Sequence, residues 1–398
     1  MIGDEFRKTS ELKEEQMTEK VKNLIAEQFQ GCLKLEEELK GFINQLEILL
    51  KNGQLNEKEI EKELIGAIGN YLLIEKNDLS PQSLAERVLN GYTRRLYQEI
   101  LLGTAVGDAL GYPVQFTSRE YLRSHPVTTM ANPAKWSDDT SLSLCLADSL
   151  RQGYNLCDIA DRFKRWLHEG LWTPYGRAFD IGKTTLRAIA NFSQVADPRL
   201  AGLAGERDNG NGSLMRISPL VPYIRGMEQE RQIEMIAEVS SLTHRHPRSI
   251  LACIFLCQFE LCCIKGEDLP TAFGNTQTIV RYLLERKEFS AERPHFARLL
   301  NLSFDEFKDL PESQISSSGY VISTLEASLW CLFNHDNFKD TLLAAVNLGD
   351  DADTTGAVTG AMAGLFYGTD SIPSEWIDAI PRKDDFFRLA DSFGGYRV

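Results

Sequence analysis

Two acidic segments constrain this chain more than any other feature. Trp136-Ser137-Asp138-Asp139-Thr140 and Gly349-Asp350-Asp351-Ala352-Asp353-Thr354-Thr355-Gly356 lie more than two hundred residues apart, and each sets carboxylates beside hydroxyls ahead of an apolar, helix-like run. A fold that unites them must offset the repulsion between neighbouring carboxylates, and hard divalent cations with oxygen ligands do so. The pairing predicts a dinuclear metal site at the centre of a hydrolase.

The 398 residues have ordinary apolar content, enough for one large core and a smaller appended unit. A formal charge of −14 argues against nonspecific binding to nucleic acid or anionic lipid, both of which need a basic patch. Of the eight cysteines, Cys253, Cys257, Cys262 and Cys263 lie in one apolar run with no CxxC pair, and they read as reduced core thiols. The polar start, Met1 to Glu15, shows no signal peptide. The apolar segments Ser249 to Ile264 and Ala357 to Tyr367 are shorter than the roughly 20 residues a bilayer requires. A cytoplasmic protein without membrane contact is the expectation.

From Glu15 to Leu50, Leu35, Leu39, Phe42, Leu46 and Leu49 are spaced by fours and threes, which predicts an amphipathic helix. Lys51-Asn52-Gly53 ends it. Asn56 with Glu59 reads as a capping box opening a second helix to about Ile74, and Ser80-Pro81 as a third helix start. Residues 1–92 thus form a helical extension, with a junction near Asn90-Gly91, and 93–398 the main body. Beyond Leu96 the chain turns to apolar helices rich in Gly and Ala. Few segments alternate with a period of two, so the fold class is all-α.

Ser137, Asp138 and Asp139 precede an apolar helical run, where the helix dipole and free amides favour negative charge; a simple capping sequence has the same look. In the second segment capping needs one acid, and Asp351 and Asp353 with Asp350 supply three. Two such segments together favour a two-metal site.

The series Gly103 to Phe116 (GTAVGDALGYPVQF), Ser137 to Thr140, Asp180 to Thr185 (DIGKTT), Gly210 to Pro219 (GNGSLMRISP), Thr243-His244, Gly319 to Trp330 and Asp350 to Ala357 (DDADTTGA) resembles the ADP-ribosylglycohydrolase family, of the dinitrogenase-reductase-activating glycohydrolase type. The resemblance implies a compact orthogonal all-α bundle binding two magnesium or manganese ions. It implies that Ser137, Asp138, Asp139, Asp351, Asp353 and Thr354 hold them, with Asp138 or Asp139 taking the proton of an attacking water. The implied substrate is an ADP-ribosylated protein, above all ADP-ribosylarginine.

One departure stands out. Where many family members have Glu, this chain has Gln115, which can accept a hydrogen bond but cannot act as a base. This leaves open a protein that neutralises a transferase by occlusion, and the linkage itself leaves open ADP-ribosylserine or a free ADP-ribosyl metabolite. The loop Asn209-Gly210-Asn211-Gly212-Ser213 is either a plain Asn-Gly turn or, as the resemblance implies, a contact for pyrophosphate or ribose. Arg216 either pairs with phosphate or buttresses an acid, and the resemblance places His244 near the nucleotide. Asp108 and Asp180, beside glycines, read as structural hydrogen-bonders. Trp136, Trp172 and Tyr175 are candidate adenine platforms, though core or rim roles are commoner for such residues.

Some bacterial members of the family are similar in carrying an N-terminal extension and serve as immunity proteins against an ADP-ribosyltransferase toxin. The resemblance therefore implies a toxin as a further partner, docked by residues 1–92 through their acidic helices.

Overall fold

The computed structural model describes residues 21–23, 25, 36–57, 60, 63 and 81–393. The chain divides into two units: Met1–Arg94 with Arg225–Met227 and Phe393–Val398, and Arg95–Ile224 with Glu228–Ser392.

In the first unit, α1 (Glu36–Lys51) buries Phe42, Leu46 and Leu50 on one stripe. Leu50, rather than the expected Leu49, completes the seam, because a spacing of four keeps it on the same face as Leu46. Leu35 and the side chain of Leu39 lie outside the described residues, as do Glu59 and most of the second expected helix, of which Asn56, Glu57, Ile60 and Glu63 are described. Asn56 donates through Nδ2 to the Tyr92 hydroxyl at 3.0 Å, and Arg225 donates through Nε to the Gln54 carbonyl at 3.1 Å. The junction expected near Asn90-Gly91 falls inside a continuous helix, α2 (Pro81–Gly111). A Cβ on Gly91 would meet only the end of the Glu63 side chain, 2.1 Å from Oε2.

The second unit is helical: among the described residues there is no strand, only the isolated bridges Leu203 to His244 and Gly210 to Tyr320. Its main helices are α3 (Asp138–Leu150), α4 (Leu156–Glu169), α5 (Gln229–Ser241), α6 (Pro247–Ile264), α7 (Val321–Phe333), α8 (Phe338–Asn347) and α9 (Ala352–Tyr367). α9 packs against α3, α6, α7 and α8. With Pro247 at its first turn, α6 runs 18 residues, longer than the apolar segment read from sequence. It is long and apolar enough to cross a bilayer, but 89% of it is buried inside the fold, as a core helix. Phe273, Phe307 and Phe333 add an aromatic cluster, with Phe273 edge-on to Phe333 at 5.4 Å.

The contact that positions the site is between α2 and α9. Gly103, Gly107 and Gly111 on one helix meet Gly360, Gly356 and Ala352 on the other, backbone against backbone. A Cβ on Gly107 would lie 1.9 Å from the Gly356 carbonyl oxygen, and one on Gly360 would lie 2.0 Å from that of Gly103. Only glycine permits this approach, and it sets Asp108 of α2 beside the acidic start of α9.

Candidate functional site

Asp108 organises the first acidic segment. Its two carboxylate oxygens both accept the Ser137 N–H, each at 2.9 Å, and Oδ2 also accepts from Thr140 N–H at 3.1 Å and Thr140 Oγ1 at 2.6 Å. Ser137 is the N-cap of α3; its hydroxyl accepts from Asp139 N–H and donates to Asp139 Oδ2 at 2.8 Å. The capping reading thus holds for Ser137, and the acids behind it remain free for other work.

The second segment does not cap with its acid. Asp351 is the N-cap of α9, yet its side chain makes no cap bond; Oδ2 accepts instead from Asn211 Nδ2 at 2.6 Å. Its N–H donates to the Ser317 carbonyl at 3.0 Å. Asp353 Oδ1 accepts the Thr354 N–H at 2.9 Å.

Carboxylate oxygens of Asp108, Asp139 and Asp353, from α2, α3 and α9, lie within 4.8 Å of one another. Asp139 Oδ1 and Asp353 Oδ2 are buried with no hydrogen-bond partner. Burial pushes the carboxyls of Asp138, Asp139 and Asp353 well above the usual carboxylate range, and neighbouring carboxylates push the same way. Asp351 is raised as well, chiefly by burial, and Asp108 is pushed up to about 7 by burial against the pull of its hydrogen bonds. Partnerless oxygens in a crowded, dry carboxylate cluster suit hard divalent cations. Ser137, Asp138 and Thr354 are buried as well.

Two residues read as structural belong here. Asp108 joins the cluster while capping α3. Asp180, at a left-handed φ of 55°, keeps Oδ2 buried and without a partner, and its charge acts on Asp138, Asp351 and Asp353. A lone acid beside glycine gives little sign of this in sequence. An acid one residue before Ile-Gly, at a helix entrance, was the available signal.

Gln115 follows the short turn Tyr112–Val114 and is half-buried. The next residue ties this segment to the cluster: Phe116 N–H donates to the Asp350 carbonyl at 2.6 Å, and Asp350 N–H to the Thr117 carbonyl at 2.8 Å. Asn211 donates from one amide nitrogen to both Asp351 and Thr324 Oγ1. Its loop is therefore anchored to the acidic cluster rather than being a plain turn. Gly212 packs against His244, where a Cβ would sit 2.7 Å from Cε1.

Ser213 and Arg216 lie deeper than a ligand-contacting loop requires. Both are fully buried; Ser213 Oγ accepts from Ser240 Oγ at 3.0 Å and sits 3.4 Å from Cys253 Sγ. Arg216 Nη2 donates to the Val239 carbonyl and to Thr243 Oγ1 at 2.8 Å, and the guanidinium lies over Phe163 at 4.7 Å. Among the described residues it forms no pair with an acid, and burial pushes it down to about 10. Thr243 Oγ1 also sits 2.9 Å from His244 Nδ1. Arg216 can only donate, so the threonine hydroxyl satisfies the pair by accepting from Arg216 and donating to Nδ1. That leaves His244 with its proton on Nε2, on the side of Gly210 and Gly212. Burial, then the Arg216 charge, pushes His244 down to about 3, so the ring is neutral.

Trp136 is fully buried, bonded through Nε1 to Ser141 Oγ and edge-on to Phe386, so it is core rather than an adenine platform. Trp172 donates to Asp148 with Arg382 over its ring. Tyr175 is exposed, its hydroxyl on the Ala134 carbonyl. The seven described cysteines are unpaired, and six of them are buried.

The sequence and the helical fold match a known family. The chain belongs to the ADP-ribosylglycohydrolase family, whose sequence profile matches residues 90–397. It is 33% identical over 302 residues to the ADP-ribosylarginine hydrolase Tri1 of Serratia proteamaculans (strain 568), covering 73% of this chain and 76% of that protein. It is 31% identical over 293 residues to the ADP-ribosyl-(dinitrogen reductase) glycohydrolase of Rhodospirillum rubrum, covering 71% and 89%. A solved structure titled as an ADP-ribosylglycohydrolase-related protein complex superposes with a TM-score of 0.59 at 28% identity, covering 76% of this chain and 98% of that one.

Proposed function

We propose that this chain is a metal-dependent hydrolase that removes ADP-ribose from modified protein side chains, with ADP-ribosylarginine as the preferred linkage. The observation that carries the reading is the pair of buried, partnerless oxygens on Asp139 and Asp353 within a three-helix carboxylate cluster. Ser137, Asp138, Asp139, Asp351, Asp353 and Thr354 would hold two Mg²⁺ or Mn²⁺ ions, with Asp108 adjoining them. Bound there, such ions supply positive charge that favours the ribose hydroxyls and acidifies water.

The chain's own residues do the rest. Asp138 or Asp139 takes a proton from the water that attacks C1 of the distal ribose. The C1–N bond breaks through an oxocarbenium-like state, and arginine departs as a neutral guanidine once protonated. Asp180, whose partnerless oxygen acts on the same carboxylates, would orient ribose. Asn211, its own donors spent on Asp351, Thr324 and Gly319, would hold the loop so that the Gly212 N–H and the Nε2–H of His244 donate to the nucleotide. Ser213 and Arg216 support that loop from behind.

ADP-ribose release from an arginine-ADP-ribosylated protein tests the reading, with Mg²⁺ or Mn²⁺ and with chelator, by wild type and by Asp138→Ala/Asp139→Ala. Metal-dependent release lost in the double variant is the expected result. Activity on a serine-linked substrate alone would move the linkage, and no release from either would sink the hydrolase.

Gln115 favours one second reading, a protein that blocks a transferase without turnover. Residues 1–92 enter both readings as a separate extension before the catalytic domain, 93–398, docking an ADP-ribosyltransferase toxin and making the chain an immunity protein of the cytoplasm. The start of the family match at residue 90 and the acidic helices support this. A truncation before Pro81, which keeps α2 whole, should lose toxin binding in a pull-down; unchanged binding would remove the extension from the interface.

A further inference from the structure

Phe116 is 72% exposed, and its backbone has a φ of 61°, a conformation that bulky L-residues rarely adopt. Neither feature serves the core. The conformation is held from both sides: Phe116 N–H is bonded to the Asp350 carbonyl, Asp350 N–H to the Thr117 carbonyl, and Asp350 is itself left-handed at 56°. Gly349 closes the arrangement, since a Cβ on it would lie 2.6 Å from the Thr117 carbonyl oxygen. Arg119 adds a side-chain clamp, donating to the carbonyls of Leu348, Glu312 and Ile315 at 2.9, 2.7 and 2.7 Å. The backbone that carries an exposed aromatic ring is thus held one residue from Gln115 and bonded to the residue preceding Asp351. Strain kept at the edge of a site by this many bonds points to function.

We propose that Phe116 is a docking residue for the polypeptide that carries the ADP-ribosyl group, contacting it beside the modified side chain. The inference rests on the hydrolase reading above. Continuity with the carboxylate cluster selects this occupant, since a ribose held there leaves its attached side chain to exit across the rim. Charge selects it too. Asp350 is exposed next to Phe116; on the helix that follows, Arg119–Ser124, Glu120 is exposed and Arg123 is paired with Glu312. An aromatic ring beside the exposed Asp350 carboxylate fits a basic, arginine-bearing segment.

The test compares kcat/KM on an arginine-ADP-ribosylated protein with kcat/KM on ADP-ribosylated agmatine, a small guanidine, for wild type, Phe116→Ala, Phe116→Gly and Phe116→Tyr. Glycine accepts the left-handed backbone, so Phe116→Gly separates loss of the ring from loss of the loop. The ratio of the two constants should fall roughly tenfold in the Ala and Gly variants, the usual loss for one interface aromatic, mainly through KM on the protein, and Tyr should restore it. An equal fall on both substrates would make Phe116 part of the catalytic loop and overturn the inference. An unchanged ratio would overturn it too, as would loss of self-association in Phe116→Ala with unchanged kinetics, which would give the face to a second copy of the chain. A wild type inert on both substrates would overturn the hydrolase reading first, and this inference with it.

Discussion

Asp108 accepts the backbone N–H of Ser137 through both of its carboxylate oxygens, each at 2.9 Å. One side chain on α2 therefore fixes where α3 begins, and with it the positions of Asp138 and Asp139. Because the glycine seam presses α2 onto α9, the same side chain also fixes the distance from those acids to Asp353. The cluster is built by helix packing first and by its ligands second.

Replacing Asp108 tests that order. Asp108→Asn keeps one acceptor oxygen but places an amide nitrogen where Oδ1 or Oδ2 accepts from Ser137 or Thr140. The expected cost is about 1–3 kcal/mol for buried donors left unpaired, read as a lower unfolding midpoint. Mn²⁺ affinity, followed by calorimetry, should fall as well. A stable variant with unchanged Mn²⁺ binding would show that Asp108 neither anchors α3 nor serves the cluster.

Glu260 gives a pH prediction away from the site. It is fully buried on α6, accepts from Ser218 Oγ at 2.7 Å through Oε1, and leaves Oε2 without a partner. Burial pushes its carboxyl from 4.5 up to about 8. The folded state holds this proton more tightly than the unfolded chain does. The stability it contributes is therefore full below pH 4.5 and is lost as pH rises through about 8. Glu260→Gln keeps the acceptor for Ser218 and removes the titration. Its melting temperature should exceed that of wild type by a few degrees at pH 9 and match it near pH 5. Parallel pH profiles for the two proteins would refute the assignment.

The sequence made the acids of α3 and α9 legible because each group sits at a helix start with more carboxylates than capping uses. Asp108 and Asp180 were read as structural because a single acid beside glycine looks like a turn residue; only the α2–α9 contact and the left-handed backbone at Asp180 turn them toward the cluster. Ser213 and Arg216 are buried among internal partners, which the sequence did not signal. Their polar side chains share a loop with Asn211, and nothing local reports that the loop turns them inward under α5. The all-α class followed from periodicity alone. The junction read near Asn90-Gly91 is not a break in the chain's helix: α2 runs through it, and the boundary between the two units falls at Arg94.

His244 should remain a neutral Nε2–H tautomer across the physiological range. Burial and Arg216 push its pKa from 6.5 down to about 3, so the unfolded chain binds the proton more readily. Stability tied to His244 is present above pH 6.5 and is lost as pH falls toward 3. Nitrogen-15 spectra of the ring from pH 5 to 8 should show one protonated nitrogen, Nε2, with no titration. Thr243→Val removes the hydroxyl between Arg216 and Nδ1, and the spectrum should shift to mixed tautomers. A midpoint near 6.5 in the wild type would mean that His244 is solvated and is not held by the threonine.

The glycine seam offers the sharpest contrast, because two glycine-to-alanine changes in helices should have opposite signs. Gly274, in the helix Leu269–Leu283, has nothing within 4 Å of an added Cβ, so Gly274→Ala should stabilise by about 0.5–1 kcal/mol through helix propensity. Gly107→Ala gains the same propensity but drives a methyl to 1.9 Å from the Gly356 carbonyl oxygen. The helices must separate, at a cost of about 1–3 kcal/mol for overpacking, and Asp108 moves away from Asp353 with them. The seam thus predicts a net loss of stability for Gly107→Ala and weaker Mn²⁺ binding in the protein that still folds. Thermal unfolding of both variants, with and without Mn²⁺, separates the two effects. A Gly107→Ala protein as stable as Gly274→Ala, with wild-type Mn²⁺ affinity, would show that close helix contact does not set the carboxylate spacing.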